Sequence, residues 1–176
     1  LLAKRLIGYL PEQLAFYSDM RVREYLDFCC DLKKVKRGRQ EHVAALCERV
    51  GIAHITHRLI RNLSKGYRQR LGFAQALVGD PQVLILDEPT AGLDPSQIIE
   101  IRSLIQDLGE QHTVIISSHI LSEIEAICSR VIVLHNGRLL ADDTLQRLRG
   151  APGRLTVRVR GELPQVQAVL AQAPHV

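Results

Sequence analysis

Two carboxylates stand side by side in Leu86-Asp87-Glu88-Pro89-Thr90, directly after the aliphatic run Val83-Leu84-Ile85-Leu86. A buried strand that ends in ionised groups presents them at the edge where α/β sheets bind ligands. Hard oxygen donors there suit Mg²⁺, and a positioned carboxylate can act as a base toward a water attacking phosphorus. The same dipeptide is also what a strand ending in polar residues looks like, so its meaning depends on what joins it. Ser64-Lys65-Gly66 lies about twenty residues upstream, at the start of a helical pattern. A hydroxyl, a glycine and the free N–H groups of a first helical turn make an anion site; alternatively, Ser64 caps its helix. His119 follows the apolar run Thr113-Val114-Ile115-Ile116 and the pair Ser117-Ser118. If that strand neighbours the first, His119 comes close to Asp87 and Glu88; otherwise it reads as a structural hydrogen-bond partner. Asp94, before Pro95, fits an N-cap with proline at the first helical position.

These residues need elements to hold them. Leu6 to Leu10, ended by Pro11, predicts a short strand and a loop. Val22, Tyr25, Leu26 and Cys29 recur at helical spacing, predicting a helix from Met20 to Leu32. A second helix carries Val43, Leu46, Cys47 and Val50 and is closed by Gly51; a third runs from about Lys65 to Val78. This middle stretch is therefore expected to be all-helical. Beyond Pro81 the pattern changes. Val83 to Leu86 is continuous and apolar, as in a strand buried on both faces of a parallel sheet. A helix from Pro95 to Leu108, a strand from Thr113, a helix from Ile120 to Cys128 and a strand from Val131 to Leu134 complete an alternation of parallel βαβ units. Asn136-Gly137 before Leu139-Leu140 signals a hairpin that adds an antiparallel edge. After Gly150-Ala151-Pro152-Gly153, Leu155 to Arg160 alternates like a half-exposed strand and Pro164 to Ala173 suits a helix.

Composition narrows the classes. With 46% hydrophobic and 24% charged residues, the 176-residue chain is globular and long enough to bury its own core. Aromatics make up 4% and tryptophan is absent, which disfavours a base-stacking platform. The net charge of +4 is an ordinary surface surplus, and no nucleic-acid partner is expected. Its densest source, the five cations in the seven residues from Lys33 to Arg39, reads as a solvated helix end and turn. Cys29, Cys30, Cys47 and Cys128 have no metal-ligand spacing and suit a reducing compartment. No apolar run approaches the roughly 20 residues that span a bilayer.

Taken together, the motifs resemble ATP-binding cassette (ABC) ATPases. Leu63-Ser64-Lys65-Gly66-Tyr67-Arg68-Gln69 looks like their LSGGQ-type signature and Val83 to Glu88 like their Walker B strand. Ala91-Gly92-Leu93-Asp94 resembles their D-loop, His119 their switch histidine, and Ile7 to Glu12 the strand entering their Q-loop. Five motifs agree in order and spacing from about Ile7 to Asp142. The resemblance implies a P-loop NTPase-like α/β core with an inserted helical subdomain. Residues 1–18 and 79–150 would form the catalytic core, 19–78 the signature subdomain, and 151–176 the start of a truncated accessory segment.

It also implies ATP and Mg²⁺. Asp87 would hold the metal's shell and Glu88 polarise the attacking water. His119 would touch the γ-phosphate, and Asp94 would bridge to a second cassette. Ser64 and the Gly66 amide would contact the nucleotide held by that second cassette, with Lys65 and Gln69 beside them. Three departures stand out. No GxxxxGK[ST] occurs, so the phosphate-binding loop would precede Leu1 and the chain by itself is expected to be inactive. Glu12, with Gln13 beside it, stands where the Q-loop carries glutamine; its carboxylate would reach Mg²⁺ through water. Lys65 stands where the signature commonly has glycine.

The expected partners are a second cassette and a separate membrane permease, docked near Tyr17 to Met20, with the protein on the cytoplasmic face of the membrane and an export role. The alternatives are a non-transport ABC ATPase, of translation or chromosome-maintenance type, and a non-catalytic binding module. Against the chromosome type, only about fifty residues, without sustained heptads, separate Glu12 from Leu63.

Overall fold

The computed structural model describes residues 3–150, so the strand and helix expected between Leu155 and Ala173 lie outside the described residues. The chain divides into two compact units, one ending at Val131 and the other beginning at Ile132.

In the first unit a helical turn, α1 (Ala3–Leu6), runs into β1 (Ile7–Leu10). The chain then leaves the sheet for an insert of three helices: α2 (Val22–Lys33), α3 (Arg39–Arg49) and α4 (Lys65–Leu77). It returns as β2 (Val83–Asp87), crosses through α5 (Pro95–Gly109) to β3 (Thr113–Ser117), and continues into α6 (Leu121–Ile127). β1, β2 and β3 form a parallel sheet in that order, with Leu10 opposite Leu86 and Asp87 opposite Ser117. Parallel pairing in this register brings the ends of all three strands to one edge. Glu12, Glu88 and His119 follow those ends.

α2 begins at Val22 rather than Met20 because the residues before it are used elsewhere. Arg21 bridges to Leu59, and the Met20 carbonyl accepts a hydrogen bond from the Ile60 N–H at 3.0 Å. Glu24 then accepts from the Arg21 N–H at 2.8 Å, closing the first turn. The basic run is the expected turn: Lys34 and Gly38 both take left-handed conformations, and Arg39 pairs with Asp31.

One hydrophobic core joins the insert to the sheet, from Leu26 and Val43 through Leu71 and Phe73 to Leu84, Leu86 and Ile101. α4 packs on β1 and α5 on β3. Here the structure corrects the expectation for β2. Leu84 and Leu86 are fully buried, while Val83 and Ile85 on the other face are only half-buried. Tyr9 and Ile115, which flank Ile85, are 49% and 54% exposed. Leu84 and Leu86 share one core with residues of α4 and α5, so a continuous apolar strand is here fully buried on one face and half-buried on the other.

β4 (Arg130–His135) and β5 (Arg138–Thr144) pair with each other in a two-stranded sheet and lead into α7 (Leu145–Gly150). The expected hairpin is present, with Asn136 and Gly137 at φ 48° and 71° as a type I′ turn requires. Among the described residues the strand paired with β4 is β5, where parallel βαβ pairing was expected. A strand–helix–strand alternation shows the period of each element but not its hydrogen-bond partner, and β4 takes the partner two residues away.

Candidate functional site

Asp87 closes β2 and Ser117 closes β3, and the register sets them side by side. The Ser117 hydroxyl donates to Asp87 Oδ1, while Tyr9, from β1, places its hydroxyl 3.5 Å from Asp87 Oδ2. The chain then turns sharply. Glu88 has φ 46°, a left-handed conformation that costs a non-glycine residue about 1–2 kcal/mol. The turn is held by the Glu88 N–H, which donates to both the carbonyl and the hydroxyl of Ser117 at 3.2 Å, and by the Ala91 N–H donating to the Glu88 carbonyl at 3.1 Å. Sparsely populated backbone of this kind persists where neighbours enforce it. Its effect is to aim the Glu88 carboxylate along the strand edge.

There it meets His119. Nδ1 lies 2.9 Å from Glu88 Oε2, with the glutamate side chain 18% exposed and the imidazole 72% exposed. The hydrogen bond and charge of Glu88 raise the proton affinity of His119 above the ordinary histidine value, and the charges of Glu123 and then Glu12 add to this. The edge thus carries two side-chain pairs, Asp87 with the Ser117 hydroxyl and Glu88 with His119.

A second group forms around the start of α4. Ser64 is its N-cap, and Oγ accepts from the Tyr67 N–H at 3.3 Å. Gly66 lies against α5: a β-carbon there would come within 2.7 Å of Gln97 Nε2. Lys65 reaches over Gly92, whose β-carbon, if present, would sit 2.0 Å from the lysine Nζ. Asp94 caps α5, accepting from the Gln97 N–H at 2.9 Å and the Ser96 hydroxyl at 2.7 Å. Those bonds hold its carboxyl below the usual carboxylate range. Both helix starts thus adopt the capped form that their sequences allow, and they pack against each other.

Glu12, Gln13, Lys65, Gln69 and Gly92 line one cleft of about 470 Å³, joined by Arg68. Gln69 is 6% exposed and donates to the Pro89 carbonyl at 2.7 Å, so its amide braces α4 against the loop after β2. Among the described residues, no group of three or more His, Cys, Asp or Glu side chains gathers as a metal cage. Asp87 with the Ser117 hydroxyl is instead a partial set of hard oxygen donors, which fits Mg²⁺, since that ion keeps waters and takes one or two carboxylates besides its phosphates.

Tyr9 and Arg68 lie inside the motif stretches and Ser117 in the pair before His119, yet none of them is among the site residues that the sequence singles out. Nor is Glu123, which is buried and bonded to Thr90.

Known proteins share these features. The chain is 40% identical over 162 residues to an uncharacterized ABC transporter ATP-binding protein of Synechocystis sp., covering 90% of this chain and 46% of that protein. It is 41% identical over 147 residues to a bacitracin transport ATP-binding protein of Bacillus licheniformis, covering 82% of this chain and 47% of the relative. The chain therefore spans about half the length of these curated relatives. In structure it matches an inward-facing ABC transporter described as of metal-chelate type, with a TM-score of 0.72, 22% identity, and coverage of 80% of this chain and 59% of the other. That likeness identifies the fold as a P-loop NTPase-like α/β fold. The sequence pattern of the ABC transporter family matches residues 2–91, about half of the chain and including β1, the signature helix and the Asp87–Glu88 edge; the chain belongs to the ABC transporter family.

Proposed function

We propose that these residues form part of the ATP-binding subunit of an ABC exporter, in which ATP binding and hydrolysis between two cassettes drive a separate membrane permease. The observation that carries the reading is the Glu88–His119 contact of 2.9 Å, at a strand edge shared with Asp87 and Ser117. Phosphoryl transfer needs positioned charge at the attacking water and at the γ-phosphate, and this edge supplies a base and a donor beside each other. The relative named for bacitracin transport supports a transport role.

In this reading Asp87 would hold Mg²⁺, with Glu12 as a further carboxylate toward it, and the ion would neutralise phosphate charge. Glu88 orients the water and accepts its proton. His119 donates to the γ-phosphate from beside Glu88. Ser64 and the Gly66 N–H serve the nucleotide of the opposite cassette, with Lys65 adding charge, Gln69 positioning the helix and Asp94 bridging the two chains. Gln13 lines the cleft beside them. The phosphate-binding loop would come from residues outside these 176. No described helix is long and apolar enough to cross a membrane, and attachment to the cytoplasmic face would come through the permease.

The test is Glu88→Gln in the full-length subunit. ATP turnover should fall by about 10²–10⁴-fold, the usual contribution of a positioned base, and the protein should accumulate as an ATP-bound dimer. A variant that stays monomeric at saturating Mg-ATP, or that hydrolyses ATP at the unsubstituted rate, would overturn the assignment.

A further inference from the structure

Behind the strand edge lies a buried carboxylate that the roles above do not use. Glu123, in the first turn of α6, is 4% exposed. Its Oε2 accepts from the Thr90 hydroxyl, itself buried, and from the Ser118 hydroxyl at 3.4 Å. Thr90 is two residues beyond Glu88, inside the turn closed by the Ala91 and Leu93 N–H groups. Ser118 adjoins His119 on one side, and its hydroxyl also accepts from the Ile120 N–H on the other at 3.1 Å. The Glu123 N–H donates to the Ile120 carbonyl at 3.0 Å. The carboxylate therefore ties Ser118, on one flank of His119, to the loop that follows Glu88, while the Glu123 main chain holds Ile120 on the other.

Stability alone does not account for it. Its ion-pair partner is Arg102 of α5, whose Nη2 is 3.9 Å from Oε1 and whose Nε has no hydrogen-bond partner among the described residues. A buried acid with a single long contact to its cation is a poor source of net stability, because desolvation offsets the attraction. Its hydrogen bonds to Thr90 and Ser118, however, fix the spacing between two segments that must act together. A small displacement of a positioned group lowers rate far more than it lowers binding.

The geometry points to Glu123 as a positioning residue for ATP hydrolysis, acting through Thr90 and Ser118 to hold Glu88 and His119 in register. This rests on the reading given above. The experiment uses the full-length subunit with its transport partner and measures kcat and KM for ATP. Glu123→Leu should lower kcat about tenfold or more while KM stays within about twofold. Glu123→Gln keeps an acceptor oxygen for both hydroxyls and should restore kcat to within about threefold of the unsubstituted protein. Thr90→Val, which removes the facing donor at nearly constant volume, should reproduce the loss, and the Thr90→Val/Glu123→Leu pair should lose no more than the worse single variant. If Glu123→Leu does not fold, Thr90→Val carries the test.

A folded Glu123→Leu or Thr90→Val protein with unsubstituted kcat would overturn the inference. So would losses that multiply in the pair, a Gln variant as impaired as Leu, or a change confined to KM. Glu88→Gln in the same preparations separates the two levels: a preparation in which that variant still turns over ATP normally refutes the hydrolytic reading itself.

Discussion

Gly92 shows how a single residue without a side chain can set the shape of the cleft. Its φ of 64° is left-handed, and the space its β-carbon would fill is occupied by the end of Lys65. In Gly92→Ala the lysine end can swing away at little cost, because it is long and flexible. The backbone cannot relax so easily, and the substitution is expected to destabilise by about 1–2 kcal/mol. Chemical denaturation of the full-length protein checks this as a lower midpoint at unchanged slope. The cleft should also lose Lys65 as a lining residue. At this scale the sequence was informative where chemistry sits at a strand end. Asp87, Glu88 and His119 could be placed together once two apolar runs were taken as neighbouring strands, since the ends of parallel strands share an edge. Glu123 and Tyr9 could not be placed, because their importance comes from contacts across 33 and 78 residues that no local pattern encodes.

At the scale of elements, α5 depends on how it starts. Asp94 accepts two hydrogen bonds as its N-cap, Pro95 presets the first turn, and the same residue is proposed to bridge to a second cassette. The Gln97 N–H, and after it the Ser96 hydroxyl, hold the Asp94 carboxyl below its ordinary value. A group whose pKa is depressed by folding contributes stability that is complete above its unfolded value, about 3.9, and is lost as pH falls through the folded value. The full-length protein should therefore lose part of its thermal stability between about pH 4 and the lower folded pKa. Asp94→Asn, which caps about as well without a charge, should lack that component while behaving like the unsubstituted protein near pH 7. Melting temperatures measured side by side across this range decide it; identical profiles would show that the cap carries no charge-dependent stability. The caps of α4 and α5 were readable from Ser64 and from Asp94-Pro95, because capping is local chemistry. The partner of β4 was not, because strand pairing is settled by tertiary geometry.

At the scale of the molecule, the helical insert and the sheet are expected from the family to be separate subdomains, yet a single core runs through both. α4 is the seam. Its first turn carries Ser64 to Gly66, its buried face carries Leu71, Phe73 and Ala74, and that face packs on β1. Phe73 is fully buried and belongs to the same cluster as Leu84 and Leu86 of β2, the strand that ends in Asp87 and Glu88. Removing its ring leaves a cavity at that seam. Phe73→Ala should cost about 3–5 kcal/mol, the range for a large aromatic in a closed core. If insert and sheet share cooperative stability, amide exchange should accelerate by similar factors in α4 and β2 in this variant. A substitution in a self-contained insert would instead speed exchange in α2 to α4 and leave β2 unchanged. The shared outcome would mean that the signature helix and the acidic strand edge are stabilised by one set of contacts. In that case a nucleotide bound at either group works against a common core, and coupling between the two groups needs no dedicated path beyond α4 itself.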